Sequence, residues 1–85
     1  MEKDQIMDEL VKTIRFTFGV GADTPITGET VAFDIDGWDY LSHATLMIMV
    51  EKKFAIRIGE DESNELANVG ALRDLVYAKL GRPSA

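Results

Sequence analysis

The sequence predicts an all-α domain of four helices, with a long loop between the first two helices and a short third helix. Apolar residues recur at spacings of three and four in three separate segments, which indicates amphipathic helices. Glycine, proline and aspartate are concentrated after the first of these segments, which indicates a loop. A chain of 85 residues makes one small domain. We expect that domain to span residues 1–81 and a C-terminal tail to follow at residues 82–85.

The first helix is expected at residues 3–18, where charged residues separate the apolar ones. Residues 19–36 then form the long loop, because glycines and Pro25 interrupt any regular element there. A loop of this length in a small domain needs to be held by its own side chains. Its apolar residues are the candidates for that role: Ile26, Val31, Phe33 and Ile35.

The other helices are expected at residues 39–53, 61–66 and 69–80. The second has an apolar surface wider than one stripe, so it is either central or carries an exposed docking face. Residues 54–58 alternate like a strand, but no second strand exists to pair with them, so we expect an extended connector and no sheet. Asn68 is suited to cap the last helix, and Gly81 to stop it.

The predicted core takes apolar residues from every predicted element except the short third helix. Its members are Ile6, Leu10, Ile14, Phe33, Leu41, Ile48, Phe54, Ile56, Leu72 and Val76. For the two methionines on one predicted helix, Met47 and Met49, we expect one in the core and one at the surface.

Composition excludes several classes of function. The net charge of −6 disfavours binding to nucleic acids and favours basic partners. The absence of cysteine excludes disulfides, thiolate nucleophiles and cysteine-ligated metals. The charged N-terminus and the lack of a long apolar run predict a cytoplasmic protein that does not enter a membrane.

No catalytic or metal site emerges from the motifs. Asp34 and Asp36 precede Gly37 as in a calcium loop, but the later ligand positions do not follow. Ser42 and His43 are neighbours, and neighbours on a helix point about 100° apart, so they do not form a nucleophile–base pair. As the only histidine, His43 is assigned a surface or helix-terminal role. We therefore predict that the protein is not an enzyme and binds no metal.

Two stretches resemble the acyl carrier proteins of the phosphopantetheine-binding carrier family. Residues 37–56, GWDYLSHATLMIMVEKKFAI, are similar to the second helix of that family and the connector after it. Residues 68–72, NVGAL, are similar to the opening of its last helix. The resemblance extends over nearly the whole chain and implies the four-helix fold of a carrier domain.

The resemblance also assigns roles around position 40. In the family a serine after an aspartate carries 4′-phosphopantetheine, and here that serine position is Tyr40, preceded by Asp39. A phenol displaces the oxygen by several ångströms, so we expect no cofactor on this chain and 4′-phosphopantetheine only if a serine occupied position 40. Ser42 lies about 200° around a helix from that position and is not expected to replace it. Asp39 also suits a plain N-cap.

The family docks to partners through its second helix, which here implies contacts by Leu41, Thr45, Ile48 and Glu51. The implied partners are acyl-transfer, ligase or synthase enzymes of fatty acid, polyketide or specialised acyl metabolism. We expect this chain to bind them as a monomer. Lys52 and Lys53 replace acidic residues usual on this helix, which predicts a specialised partner set. Two hypotheses follow: a carrier chain that has lost its attachment residue, naturally or by design, or a non-carrier adaptor that retains the fold. The Tyr40 ring would cover its own neighbours in the first and anchor a partner in the second.

Overall fold

The computed structural model describes residues 1–81, which fold into four helices. They are α1 (Lys3–Phe18), α2 (Tyr40–Phe54), α3 (Glu60–Asn64) and α4 (Val69–Leu80), and a 3-10 turn at Ala32–Asp34 lies in the long loop. No strand occurs in this part of the chain. The predicted all-α fold and helix order are confirmed. The predicted tail at residues 82–85 lies outside the described residues.

The helix bounds follow from local capping. The carboxamide of Asn68 accepts a hydrogen bond of 2.8 Å from the Ala71 N–H, as predicted for the start of α4. α1 ends at Gly19, whose φ of 67° is the left-handed conformation that glycine adopts readily. α2 lies one residue later than predicted, because Asp39 is its N-cap, and it ends before Ala55, which has a φ of 54°. α3 starts at residue 60 and ends two residues earlier than expected.

The core lies where α1 packs against both α2 and α4. Six of the ten predicted core residues are buried: Ile6, Leu10, Ile14, Phe54, Leu72 and Val76. On α2 the inward stripe also includes Leu46, Met47 and Val50. None of the helices in residues 1–81 has the length and apolar character needed to cross a membrane.

Three predicted core positions were wrong, and a fourth, Ile56, is only partly buried. Phe33 is 97% exposed, Leu41 76% and Ile48 51%. Leu41 and Ile48 are seven residues apart on the side of α2 opposite its buried stripe, so the wide apolar surface of this helix is split between core and solvent. Ile56 is half-buried and packs against the core from the connector. Met47 is buried and Met49 is half-buried.

The long loop is held by two of its four predicted apolar anchors and by backbone hydrogen bonds. Ile26 and Ile35 are buried, whereas Val31 and Phe33 are exposed. The alternation around the 3-10 turn sends Ile35 inward and Phe33 outward. The first two N–H groups of α4 supply further ties, because Val69 donates to the Thr30 carbonyl at 2.9 Å and Gly70 to that of Gly28 at 2.8 Å. These ties hold the segment that leads into α2.

Candidate functional site

Asp39 and Ser42 close the N-terminus of α2 with a reciprocal capping box. The Asp39 carboxylate accepts from the Ser42 N–H at 2.9 Å, and the Ser42 Oγ accepts from the Asp39 N–H at 2.8 Å. The Ser42 hydroxyl donates to the Gly37 carbonyl at 2.6 Å. These bonds, the Ser42 backbone N–H foremost, hold the pKa of Asp39 below its usual value. The N-cap role of Asp39 is therefore confirmed, and the Ser42 hydroxyl is occupied by the helix start.

Tyr40 is the first residue of α2, and its side chain is 78% exposed. Leu41 beside it is 76% exposed, and Ala44 is exposed as well. The ring therefore does not cover its own neighbours, which was one of the two roles considered for it. The ring is exposed to solvent at the start of α2.

Trp38 and His43 form a second contact across the same helix start. The Trp38 Nε1–H donates to Nδ1 of His43 at 3.0 Å, and the Trp38 ring stacks on Phe18 with a centroid distance of 4.9 Å. Because Nδ1 accepts this bond, the neutral His43 ring carries its hydrogen on Nε2, which lies 3.0 Å from Oγ and 3.2 Å from the carbonyl of Ser63. His43 thus links α2 to α3 as a half-buried structural residue.

Sequence reasoning missed this contact and the role of Ser42, although signals for both were present. Trp38 precedes the cap and His43 is the fourth helical residue, which are the two positions of a staple across a helix start. Asp39 and Ser42 stand at the cap and third positions of a capping box. Both patterns depend on the cap position, and the prediction started the helix one residue too early.

The residues predicted for docking on α2 divide into two groups. Leu41, Thr45 and Ile48 are exposed and share the outward face of the helix, at a spacing of four and then three residues. Glu51 has a different environment, because its carboxylate accepts a hydrogen bond of 2.9 Å from the Ile58 N–H. The outward face of α2 is therefore mostly apolar, and Glu51 is engaged with the connector.

A small cavity lies behind the helix start, between α2, the loop and α4. Its volume is about 40 Å³, and Trp38, His43, Met47, Leu66 and Leu72 are among the residues that line it. That space accommodates no more than a few water molecules. Across residues 1–81 no three His, Asp or Glu side chains are arranged to hold a metal ion.

Comparison with known proteins identifies a similar solved structure. No protein-family model matches the chain, and no curated protein does either. The solution NMR structure of a holo acyl carrier protein from Geobacter metallireducens is 41% identical, covers 89% of this chain and 86% of its own, and superposes with a TM-score of 0.81. That structure has the fold of a carrier protein, not of an enzyme. Identity at this level over nearly the full length of both chains, on the same four-helix fold, means that the chain belongs to the acyl carrier protein family.

Proposed function

We propose that this chain docks to acyl-transfer, ligase or synthase enzymes through the outward face of α2 and carries no 4′-phosphopantetheine. The observation that carries the proposal is the exposed phenol of Tyr40 at the first position of α2, where the family resemblance places a serine. The proposed unit is a monomeric domain of residues 1–81. The similar Geobacter protein was solved in its holo form, so the chain is similar to a protein that carries the group.

The residues at the helix start do not fit a seryl attachment. The phenolic oxygen of Tyr40 lies at the far end of a rigid ring, and a displacement of about 1 Å in a reacting atom can already cost about 10²-fold in rate. The neighbouring hydroxyls offer no substitute. Ser42 Oγ is held by Gly37 and Asp39, and Thr45 Oγ1 donates to the Leu41 carbonyl at 3.2 Å, one turn further along.

The proposal for docking rests on exposure and shape. Leu41, Thr45 and Ile48 form the outward stripe of α2, which is exposed, whereas the opposite side of the helix is buried. This stripe is therefore open to a partner. Tyr40 directly precedes Leu41 at the start of the helix.

Intact-mass spectrometry tests the proposal. A broad-specificity phosphopantetheinyl transferase with coenzyme A should leave the unaltered chain unmodified and add one arm to a Tyr40→Ser variant. A Tyr40→Ala variant should remain unmodified, and a Tyr40→Ser/Ser42→Ala double variant, if folded, should still gain the arm. An arm on the unaltered chain would contradict the proposal, most directly if it mapped to Ser42.

A second candidate function is a non-carrier adaptor, which the open position of the Tyr40 ring favours. In an adaptor the ring contacts the partner, so Tyr40→Ala should weaken binding by about 2 kcal/mol or more. In a carrier that has lost its attachment residue, the same change should leave partner binding unaltered, and Tyr40→Ser should restore loading. Partner affinity and loading measured on the two variants separate the two functions.

A further inference from the structure

A groove of about 380 Å³ opens between α1 and α2. It borders the outward stripe of α2, because Lys52 follows Ile48 by four residues, but none of Leu41, Thr45 and Ile48 lines it. Phe16 and Met49 provide its apolar surface, and three lysines surround them: Lys12, Lys52 and Lys53. The apolar part is unusually open, because the Phe16 side chain is 78% exposed. An exposed aromatic ring next to a methionine is a surface that adapts to an inserted apolar side chain.

The groove is positively charged in a protein of net charge −6. Its one acidic residue, Glu9, is shared by two of the lysines, at 2.8 Å from Lys53 and 3.6 Å from Lys12. The third lysine, Lys52, takes part in none of the ion pairs formed within residues 1–81. Three lysines and one glutamate leave the groove with a formal charge of +2.

This combination indicates the chemistry of an occupant. Lysines around an apolar floor complement an apolar side chain that is flanked by carboxylates. An anionic lipid surface fits less well, because it would meet the whole protein and its net negative charge, whereas a peptide segment contacts the groove alone. The groove is also an open surface and does not enclose a small molecule.

We propose that the α1–α2 groove docks a segment of an acidic partner protein, with an apolar side chain placed between Phe16 and Met49. The carboxylates of the segment pair with Lys52 and Lys12. The proposal is independent of the proposed function, because it requires neither Tyr40 nor the outward stripe of α2. The net charge of the whole protein favours basic partners, whereas the α1–α2 groove would bind an acidic one.

NMR titration of the ¹⁵N-labelled chain tests the groove. The probe is a synthetic peptide with one phenylalanine between glutamate pairs, and two controls replace its glutamates by lysines or its phenylalanine by serine. The glutamate–phenylalanine peptide should shift the amide resonances of Phe16, Met49 and Lys52, and both controls should bind more weakly. Lys12→Glu and Lys52→Glu should each weaken probe binding by about tenfold, since each reverses one complementary charge.

Two further variants separate the groove from general electrostatics. Arg57→Glu makes the same change in charge on the exposed connector, outside the groove, and should alter probe binding far less than Lys52→Glu. Phe16→Ser should weaken probe binding while keeping the fold, because the ring is mostly exposed. The proposal is overturned if the shifts are absent or lie elsewhere, or if the lysine peptide binds equally well. It is also overturned if phosphatidylglycerol vesicles alone reproduce the shifts, or if they arise from protein concentration alone, which would indicate a second copy.

Discussion

The indole N–H of Trp38 donates a hydrogen bond of 3.0 Å to Nδ1 of His43 across the residue that caps α2. The other ring nitrogen of His43 reaches Ser63 on α3, so one side chain joins the loop, α2 and the short third helix. α3 has only five residues and no buried side chain of its own. Its position therefore depends on contacts of this kind, which can be removed individually.

His43→Ala should destabilise the protein by about 1–3 kcal/mol, because it leaves the half-buried Trp38 N–H without its acceptor. Urea unfolding measures the loss, and the indole N–H resonance of Trp38 should move. Ser63→Ala is the matched control, since it keeps the backbone carbonyl as a partner for His43 and should cost less. Equal losses for the two variants would mean that the Trp38 bond contributes little.

Gly70→Ala should destabilise the protein by about 1–3 kcal/mol, although alanine normally favours a helix over glycine. A Cβ at Gly70 would lie 2.8 Å from the carbonyl oxygen of Gly28, and backbone atoms cannot yield as a flexible side chain does. Gly28→Ala, in the loop segment that faces Gly70, is the control. Its Cβ would come no closer than 3.4 Å to another atom, and that atom is at the flexible end of the Arg73 side chain. Thermal unfolding of both variants checks the prediction, and a more stable Gly70→Ala would contradict it.

The cap at Asp39 should make stability depend on acid pH. The pKa of Asp39 is lowered in the folded chain, chiefly by the Ser42 backbone N–H, so its contribution is present above the usual value of 3.8 and is lost as pH falls through the folded pKa. The pKa values of Glu9 and Asp74 are also lowered, by hydrogen bonds from Lys53 and Arg73 respectively. Protonation of these two carboxylates therefore adds to the loss of stability at acid pH. Asp39→Asn keeps a capping oxygen without a titrating group, so its melting temperature should fall less steeply below pH 4. If the melting temperature of this variant falls as steeply below pH 4 as that of the unaltered chain, Asp39 does not contribute to the pH dependence.

Tyr40→Ala should leave the free energy of unfolding within about 0.5 kcal/mol of the unaltered chain, because the side chain is 78% exposed. Chemical denaturation measures this directly. A loss above about 1 kcal/mol would mean that the ring does stabilise its own helix. Ile48→Ala on the outward face of α2 is the comparison, since that side chain is 51% exposed and its removal should cost somewhat more.

The sequence by itself determined the helices and their order, because the relevant information is local. Residues 3–18 and 69–80 were assigned with the observed bounds from apolar spacing and nearby caps such as Asn68. The stretch around Tyr40 and the opening of α4 also indicated the family that the solved structure then showed. Asp39 was recognised as a possible N-cap, but the helix was started at residue 39 instead of 40, and this hid the contacts that depend on the cap position.

The tertiary structure alone decided which apolar residues are buried. Ile48 and Leu46 are both apolar and two residues apart on α2, yet Leu46 is buried and Ile48 is 51% exposed. In the same way Ile35 is buried and Phe33 is exposed within one short stretch of loop. Burial depends on which distant segment closes each face, and a helix that is apolar on several sides does not specify this locally. The α1–α2 groove also depends on the tertiary structure, because Lys12 and Lys52 line one groove only when α1 packs against α2.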